Sequence, residues 1–455
     1  MAIRYGLVGL IALNVFISYA DRANLSITIS TMEQDTNMLH ITSNKGIIFG
    51  VFYVGYALSQ AYSGYLIRNY GPKWTLFGAC LVWSLCEMCT VFAAHYLWSF
   101  LLLRVVLGAG EGLALPAIHI FVSRFMLKNE RPTVNMISQV FCYAGNIAAY
   151  FFAPILLKHS WELVFVLFGA VGLLWLVPWF IFSSTTPQES KWMSETEKIQ
   201  LFDLDRNDLE EQNDKVEQTY FSQNNSRARF IRDDSESIQE LDEFESVYSL
   251  GLDVVEEDKY CKLLKCKPLY ATAVAQFASG YTLYMFMNFI VLYLEDQYKF
   301  SNQTASNIAI GGSAAQCLVA LTCGFLNTLK YSKKVRRNAF QLVSLFGSAT
   351  SLIACQVVKS KNLSLVSFLA VPCFLIFGTY GVQIIHLDFA SAEYSAVAFG
   401  IGNTFGLLGG AFGCIFSEYL RKSMDWAASF VVCAGLLIVS AVFWIFWSET
   451  EVTLK

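Results

Sequence analysis

This chain has 455 residues, of which 55% are hydrophobic and only 15% are charged, whereas about 25% of the residues in soluble domains are charged. Its formal net charge of -4 disfavours a nucleic-acid-binding protein, which needs a basic face or stripe. The composition therefore indicates a protein that spans a lipid bilayer.

Twelve apolar runs have the length of about 20 residues that a helix needs to cross a bilayer. They cover 4–28, 46–67, 74–94, 97–121, 134–157, 162–183, 268–293, 303–326, 337–358, 362–387, 395–419 and 427–447. A polar, acidic insert at 184–267 separates the first six from the last six and lacks the apolar side chains to build a core.

We therefore predict an all-α membrane protein with about twelve transmembrane helices. It consists of an N-terminal six-helix half (1–183), an acidic cytoplasmic linker (184–267) and a C-terminal six-helix half (268–455). Two such halves joined by a long loop are typical of major facilitator transporters, whose substrate site lies near the midplane between the halves. The alternative is another polytopic protein with the same number of helices.

The short loops on the two sides of these spans carry unequal numbers of Lys and Arg. Eleven lie on the side of Arg4 and seven on the other side, and the positive-inside rule assigns the richer side to the cytoplasm. Both termini are thus predicted to be cytoplasmic. The predicted location is the plasma membrane or an organelle membrane.

Two charged residues, Asp21 and Arg22, lie side by side late in the first span. A guanidinium at that depth can bind a carboxylate or a phosphate through paired hydrogen bonds, so Arg22 is a candidate for substrate binding. The alternative is that both residues mark the membrane interface, where long side chains reach the water.

The fourth span contains Arg104 and Glu111, which are seven residues apart and so share one face of the helix. Charge inside a membrane is costly, which makes each such group a candidate for function. Desolvation favours the neutral form of a carboxyl group and a nearby arginine favours the ionised form, so Glu111 is a candidate proton carrier. The alternative is a fixed ion pair that orients helices. Glu87 and His119 are weaker candidates and are not assigned a role.

The seventh span places Tyr281, Tyr284 and Asn288 at spacings of three and four residues, on one face of the helix. Hydroxyl and amide groups on that face are suited to lining a cavity. The alternative is that the aromatic residues only pack against neighbouring helices.

Four segments resemble the anion:cation symporter family of the major facilitator superfamily, which includes vesicular glutamate transporters, sialin, sodium-phosphate cotransporters and bacterial hexonate or galactonate carriers. They are YADRANLSI at 19–27, GVFYVGYALSQAYSGYL at 50–66, RVVLGAGEGLALP at 104–116 and IIHLDFASAEYSAVAFGIGNT at 384–404. The resemblance covers nearly the whole chain except the acidic insert.

The resemblance implies roles for particular residues. Arg22 would bind the anion, and Tyr53 and Tyr284 would face the substrate cavity. The proton-coupling residues would be Asp21, Arg104 and Glu111.

The chain departs from the family pattern at several positions. Ile385 replaces a common Asn, Gly280 stands where the family commonly has Asn, and Asn288 stands where it commonly has Thr. Arg68 and Asn69 occupy the place of an Asp-Arg pair. These departures affect the gating contacts and the substrate, whereas the charged residues of the first half are retained.

We therefore predict a secondary active transporter that carries small organic anions by alternating access and is coupled to protons. One alternative is a sodium-coupled transporter of inorganic phosphate, and another is a non-transporting membrane receptor. An enzyme is not expected, because the sequence has no nucleophile-base set, metal-ligand spacing or nucleotide loop. The expected partners are a small anion, a coupling cation (H⁺ or Na⁺) and the bilayer, with no cofactor, no metal and no nucleic acid.

Overall fold

The computed structural model describes residues 3–35, 38–127, 130–199, 201, 266–327, 331–389 and 392–448. Most of the predicted linker, from 202 to 265, lies outside these residues. The principal helices are α1 (Ile3–Met32), α2 (Leu39–Ala93), α3 (Leu97–Phe125), α4 (Arg131–Leu156), α5 (Trp161–Phe182), α6 (Lys267–Tyr298), α7 (Asn302–Asn327), α8 (Lys333–Val357), α9 (Lys361–Leu375), α10 (Phe377–Tyr380), α11 (His386–Phe389), α12 (Ala392–Ser423) and α13 (Trp426–Trp447).

Helix α2 accounts for two of the twelve predicted spans. It has 55 residues but a non-helical backbone at Gly71, with φ 77° and ψ 164°, followed by Pro72. Phe52 and Trp83 lie on either side of this break and both contact the middle of α3, so the chain turns back at Gly71. The 11 helices of the described chain that are long and apolar enough to cross a membrane therefore agree with the twelve predicted spans.

The tenth span is shorter than predicted. The apolar run at 362–387 forms α9 and α10, which end at Tyr380, and then turns toward α11. Val382 and Ile385 in this turn are buried. Because buried loop residues are as apolar as membrane-spanning ones, hydropathy extended the predicted helix too far.

Glycines bring α2 and α3 into direct backbone contact. A Cβ atom on Gly108 would lie 2.0 Å from the carbonyl oxygen of Phe52, and one on Gly112 would lie 2.5 Å from the carbonyl oxygen of Tyr56. No larger side chain fits at these distances, which is the close approach that small residues permit between membrane helices. This packing holds α3, with Arg104 and Glu111, against the first arm of α2.

The surface and the interior have the opposite polarity to those of a soluble protein. Large apolar side chains point outward, as at Phe92, Trp98 and Phe446, each at least 77% exposed. Charged side chains such as Asp21 and Glu111 lie inside. This arrangement suits a hydrocarbon surrounding.

Several contacts between the two halves lie at one end of the bundle. We call the end that holds Ile3 and Trp447 the terminal side, and the end that holds Met32 and Tyr298 the far side. On the far side, Asn302 Nδ2 donates a hydrogen bond of 3.0 Å to the carbonyl oxygen of Ile27. Helix α12 also packs on α2 there, because a Cβ atom on Gly46 would lie 2.7 Å from the carbonyl oxygen of Cys414. The far side is therefore closed.

Candidate substrate and coupling site

A cavity of about 560 Å³ lies between the two halves, within the usual range of about 300–1,000 Å³ for small-molecule sites. Its lining extends from Arg22 in the middle of α1 to Ile67, Ile120 and Gln383 near the terminal side. Since the far side is closed, the cavity faces the terminal side.

The lining combines aromatic rings with hydroxyl and amide groups from both halves. The polar and aromatic members include Tyr19, Tyr56, Gln60, His119, Gln139, Asn146, Tyr284, Gln316, Gln383 and Asn403. Arg22 is the only Lys, Arg, Asp or Glu among the described lining residues. An anion that enters this cavity thus meets a single permanent positive charge.

Arg22 is held at the inner end of the cavity by neighbours from α1, α2 and α3. Its Nε donates a hydrogen bond to Glu111 Oε2, and the two form an ion pair. The guanidinium carbon lies 4.7 Å from the ring centre of Tyr19 and 5.0 Å from that of Tyr56. Aromatic faces stabilise such a cation and restrict its orientation.

Glu111 is fully buried on α3. Its Oε2 accepts the hydrogen bond from Arg22 and a second one of 2.9 Å from Ser18 Oγ, while Oε1 has no hydrogen-bond partner among the described residues. The carboxyl group therefore retains one oxygen that is available to a proton.

Arg104 pairs with a carboxylate that the sequence analysis did not select. Its Nη1 lies 3.9 Å from Oε2 of Glu87, on the second arm of α2. Glu87 Oε1 accepts a 2.7 Å hydrogen bond from Asn24 Nδ2 of α1. Two buried ion pairs, Arg22–Glu111 and Arg104–Glu87, thus occupy the interior of the first half. The only sequence signal for Glu87 was a single carboxylate within an apolar run.

Asp21 lies next to Arg22 but points away from the large cavity. It is buried, and neither carboxylate oxygen has a hydrogen-bond partner among the described residues. It lines a small pocket of about 20 Å³ together with Arg104, Tyr53 and Asn288, which is room for roughly one water molecule.

The three predicted substrate residues other than Arg22 occupy two different places. Tyr284 lines the large cavity. Tyr53 and Asn288 line the small pocket instead, where Asn288 Nδ2 donates a 2.7 Å hydrogen bond to Tyr53 Oη. The Tyr53 and Tyr284 rings are 4.3 Å apart, so this contact joins the two halves beneath the cavity. Tyr281, from the same predicted face, lies 3.4 Å from Ser417 Oγ within the second half.

The family model that matches this chain is the Major Facilitator Superfamily, over residues 11–413 and 272–454. This chain belongs to the major facilitator superfamily. Membership agrees with the predicted fold and with the resemblance in the four sequence segments, and it makes the protein a multi-pass membrane transporter.

Individual relatives of this transporter are similar over most of its length. Human sialin is 25% identical and covers 99% of this chain and 90% of its own length. The chloroplastic ascorbate transporter of Arabidopsis thaliana is 24% identical and covers 95% of this chain and 72% of its own length. The xylose transporter of E. coli, solved in a partially occluded inward-open conformation, superposes with a TM-score of 0.68 at 13% identity and covers 98% of this chain and 100% of its own.

These relatives are transporters of one superfamily, and no enzyme is among the two named sequence relatives or the named solved structure. The prediction of a transporter is therefore confirmed. The prediction that the protein is not an enzyme agrees with these relatives, and the alternative of a non-transporting receptor is not retained.

Proposed function

We propose that this transporter carries a small organic anion, which Arg22 binds at the inner end of the cavity, and that protons drive its uphill movement. The observation that carries the proposal is that Arg22 is the one permanently charged side chain among the described residues that line the cavity of about 560 Å³ between the halves. A buried guanidinium binds a carboxylate through short, charge-assisted hydrogen bonds.

The rest of the lining favours an organic anion over inorganic phosphate. Tyr19, Tyr56 and Tyr284 surround Arg22, and rings of this kind contact a carbon skeleton well. Amide groups such as Gln60 and Asn403, which hydrogen-bond each other across the halves at 2.7 Å, offer donors and acceptors to polar substituents. The ascorbate transporter among the relatives is compatible with such a substrate.

Proton coupling follows from competition for Arg22. The ionised carboxylate of Glu111 accepts the hydrogen bond from Nε of Arg22, whereas a protonated carboxyl group binds a guanidinium far less strongly. A proton on Glu111 therefore releases Arg22 to the anion. When one anion and one proton bind together, the site stays electrically neutral, which lowers the energetic cost of the conformational change inside the membrane.

Alternating access requires the far side to open and the terminal side to close. Opening breaks the contacts between halves at Asn302 and Ile27, and then the bond between Asn288 and Tyr53. The last of these lies directly beneath Arg22. We infer that Tyr53 and Asn288 act as the far-side barrier to the substrate.

The terminal side is proposed to face the cytoplasm, on the basis of the larger number of Lys and Arg in its loops. Lys191 on the terminal side and Lys359 on the far side are both exposed. When the protein is expressed in the plasma membrane of intact cells, a membrane-impermeant maleimide is expected to label the Lys359→Cys variant and to leave the Lys191→Cys variant unlabelled, with the unsubstituted protein as the control. Labelling of Lys191→Cys alone would mean that the terminal side faces the outside, opposite to the proposed orientation.

The substrate proposal is tested by uptake into proteoliposomes of labelled phosphate, glutamate and glucuronate, with and without a proton gradient. We expect at least one organic anion to accumulate only when the gradient is present. Accumulation of phosphate alone, driven by sodium, supports the sodium-coupled alternative and contradicts the proposal.

A further inference from the structure

Five ionisable side chains lie buried together in the first half, apart from Arg4, which pairs with Glu130 on the terminal side, and Lys45, which pairs with Glu33 on the far side. This set, which we call the charge cluster, comprises Asp21, Glu87, Glu111, Arg22 and Arg104. All five side chains belong to residues that are 9% exposed or less. The cluster thus has three carboxyl groups and two guanidinium groups, and a guanidinium remains protonated in a protein.

An unbalanced charge in this position is costly. If all three carboxyl groups were ionised, the cluster would carry one excess negative charge inside the membrane, where an uncompensated charge costs several kcal/mol or shifts its protonation instead. Binding one proton makes the cluster neutral.

Glu87 occupies a different position from the other two carboxyl groups. It does not line the large cavity, its Oε1 accepts a hydrogen bond from Asn24, and its Oε2 faces Arg104. Both contacts favour an ionised carboxylate. Both oxygens of Asp21, Oε1 of Glu111 and Oε2 of Glu87 have no hydrogen-bond partner in the described part of the chain, but Oε2 of Glu87 lies 3.9 Å from Arg104 Nη1.

We propose that Glu87 is a positioning residue for proton coupling, because as the fixed partner of Arg104 it supplies the excess negative charge that obliges the cluster to hold one proton on Asp21 or Glu111. This inference rests on the proton coupling proposed above. Without Glu87, two carboxylates and two guanidinium groups would balance with no proton at all.

Among the described residues, the charged groups that interact with Glu87 from neighbouring helices belong to the charge cluster. Helix α1 contributes Asp21 and Arg22, and α3 contributes Arg104 and Glu111. Helix α5, which packs on the second arm of α2, has one acidic group, Glu162, in its first turn. The thiol of Cys86, the residue before Glu87 on α2, is a further ionisable neighbour.

The test counts protonated carboxyl groups by infrared spectroscopy of the purified full chain at neutral pH, from the C=O stretching band that shifts in D₂O. We expect one equivalent in the wild type and none in Glu87→Gln. Arg104→Gln should contain two protonated carboxyl groups, and the double variant Glu87→Gln/Arg104→Gln should contain one. Glu87→Asp keeps the charge and should match the wild type.

A second measurement distinguishes Glu87 from a carboxyl group that itself carries the proton. The pH profile of labelled glucuronate counterflow in proteoliposomes should shift to lower pH in Glu87→Gln by at least about one unit, the size expected from removing one charge at this range in a protein interior. Glu87→Asp should leave the profile in place.

An unchanged infrared band in Glu87→Gln, or a double variant that does not regain it, overturns the proposal. Loss of the band with an unshifted profile also overturns it, because Glu87 itself would then be the protonated group. If Glu87→Gln does not fold, the Arg104→Gln variant provides the test. A C=O band in this variant that is not twice as intense as in the wild type overturns the proposal. These counts do not depend on transport, so an absence of proton-driven accumulation refutes the coupling proposal separately.

Discussion

Arg22→Lys is expected to lower organic-anion uptake by at least about 30-fold, since loss of one partner in a buried, hydrogen-bonded charge pair commonly costs about 2–5 kcal/mol. The lysine ammonium keeps the charge but lacks the planar fork that binds a carboxylate through two parallel hydrogen bonds. It also loses the Nε donor to Glu111 and the stacking on Tyr19 and Tyr56. Initial uptake rates in proteoliposomes measure the effect.

The matched control for this variant is Arg4→Lys. Arg4 is also a buried arginine of α1, and its Nη2 lies 3.3 Å from Glu130 on the terminal side, outside the lining of the large cavity. We expect uptake by this variant to stay within a few-fold of the wild type. Wild-type uptake by Arg22→Lys would show that charge alone suffices and that Arg22 does not bind the anion in a paired geometry.

The second large effect is expected for Glu111→Gln, in which anion exchange continues but accumulation against a gradient is lost. Glutamine keeps the size of the side chain but cannot bind or release a proton. Because Arg22 is then available to the anion without a proton on residue 111, anion binding is no longer linked to protonation of that residue, and the internal concentration approaches the external one. Counterflow exchange and net accumulation, measured on the same vesicles, separate the two activities.

Glu130→Gln provides the control, since it removes an acidic group that pairs with Arg4 and accepts a 2.9 Å hydrogen bond from Tyr5 Oη, away from the cavity. This variant should both exchange and accumulate. Full proton-driven accumulation by Glu111→Gln would assign the coupling to another carboxyl group, of which Asp21 is the nearest along the chain to Arg22.

The two expected effects differ in kind because the two residues act at different stages. Arg22 contacts the substrate in the proposed mechanism, so its replacement weakens binding in both directions of transport. Among the described residues, Glu111 forms hydrogen bonds with Arg22 and Ser18, so its replacement changes the dependence of binding on protons. A common loss of all activity in both variants would instead indicate that the ion pair is needed for folding.

Much of this architecture was predictable from the sequence because a bilayer constrains it so strongly. A spanning helix needs about 20 apolar residues. A charged residue within such a run is costly and therefore usually has a structural or functional role. The twelve spans, and the choice of Arg22, Arg104 and Glu111 as buried charged residues, followed from these two rules. Their transport roles remain predictions.

Helical periodicity gave less information about which residues meet. It placed Arg104 and Glu111 on one face of α3, but Arg104 lies beside Glu87 of α2, and Glu111 pairs with Arg22 of α1. Likewise, Tyr284 and Asn288 share a face of α6, yet only Tyr284 reaches the large cavity. The spacing of residues along one helix shows which side chains share a face. It does not show which residues of a neighbouring helix they contact.

The sequence by itself determined that the chain is a two-half helical membrane protein with charged residues inside the first half, because hydrocarbon admits few other arrangements of apolar runs. Only the tertiary structure decided that Glu87 belongs with those charges, that the far side is closed, and that Tyr53 and Asn288 lie beneath the cavity rather than in it. Such pairings depend on how the helices rotate and pack against one another. Contacts such as Gly108 against Phe52 set that packing across more than 50 residues of chain.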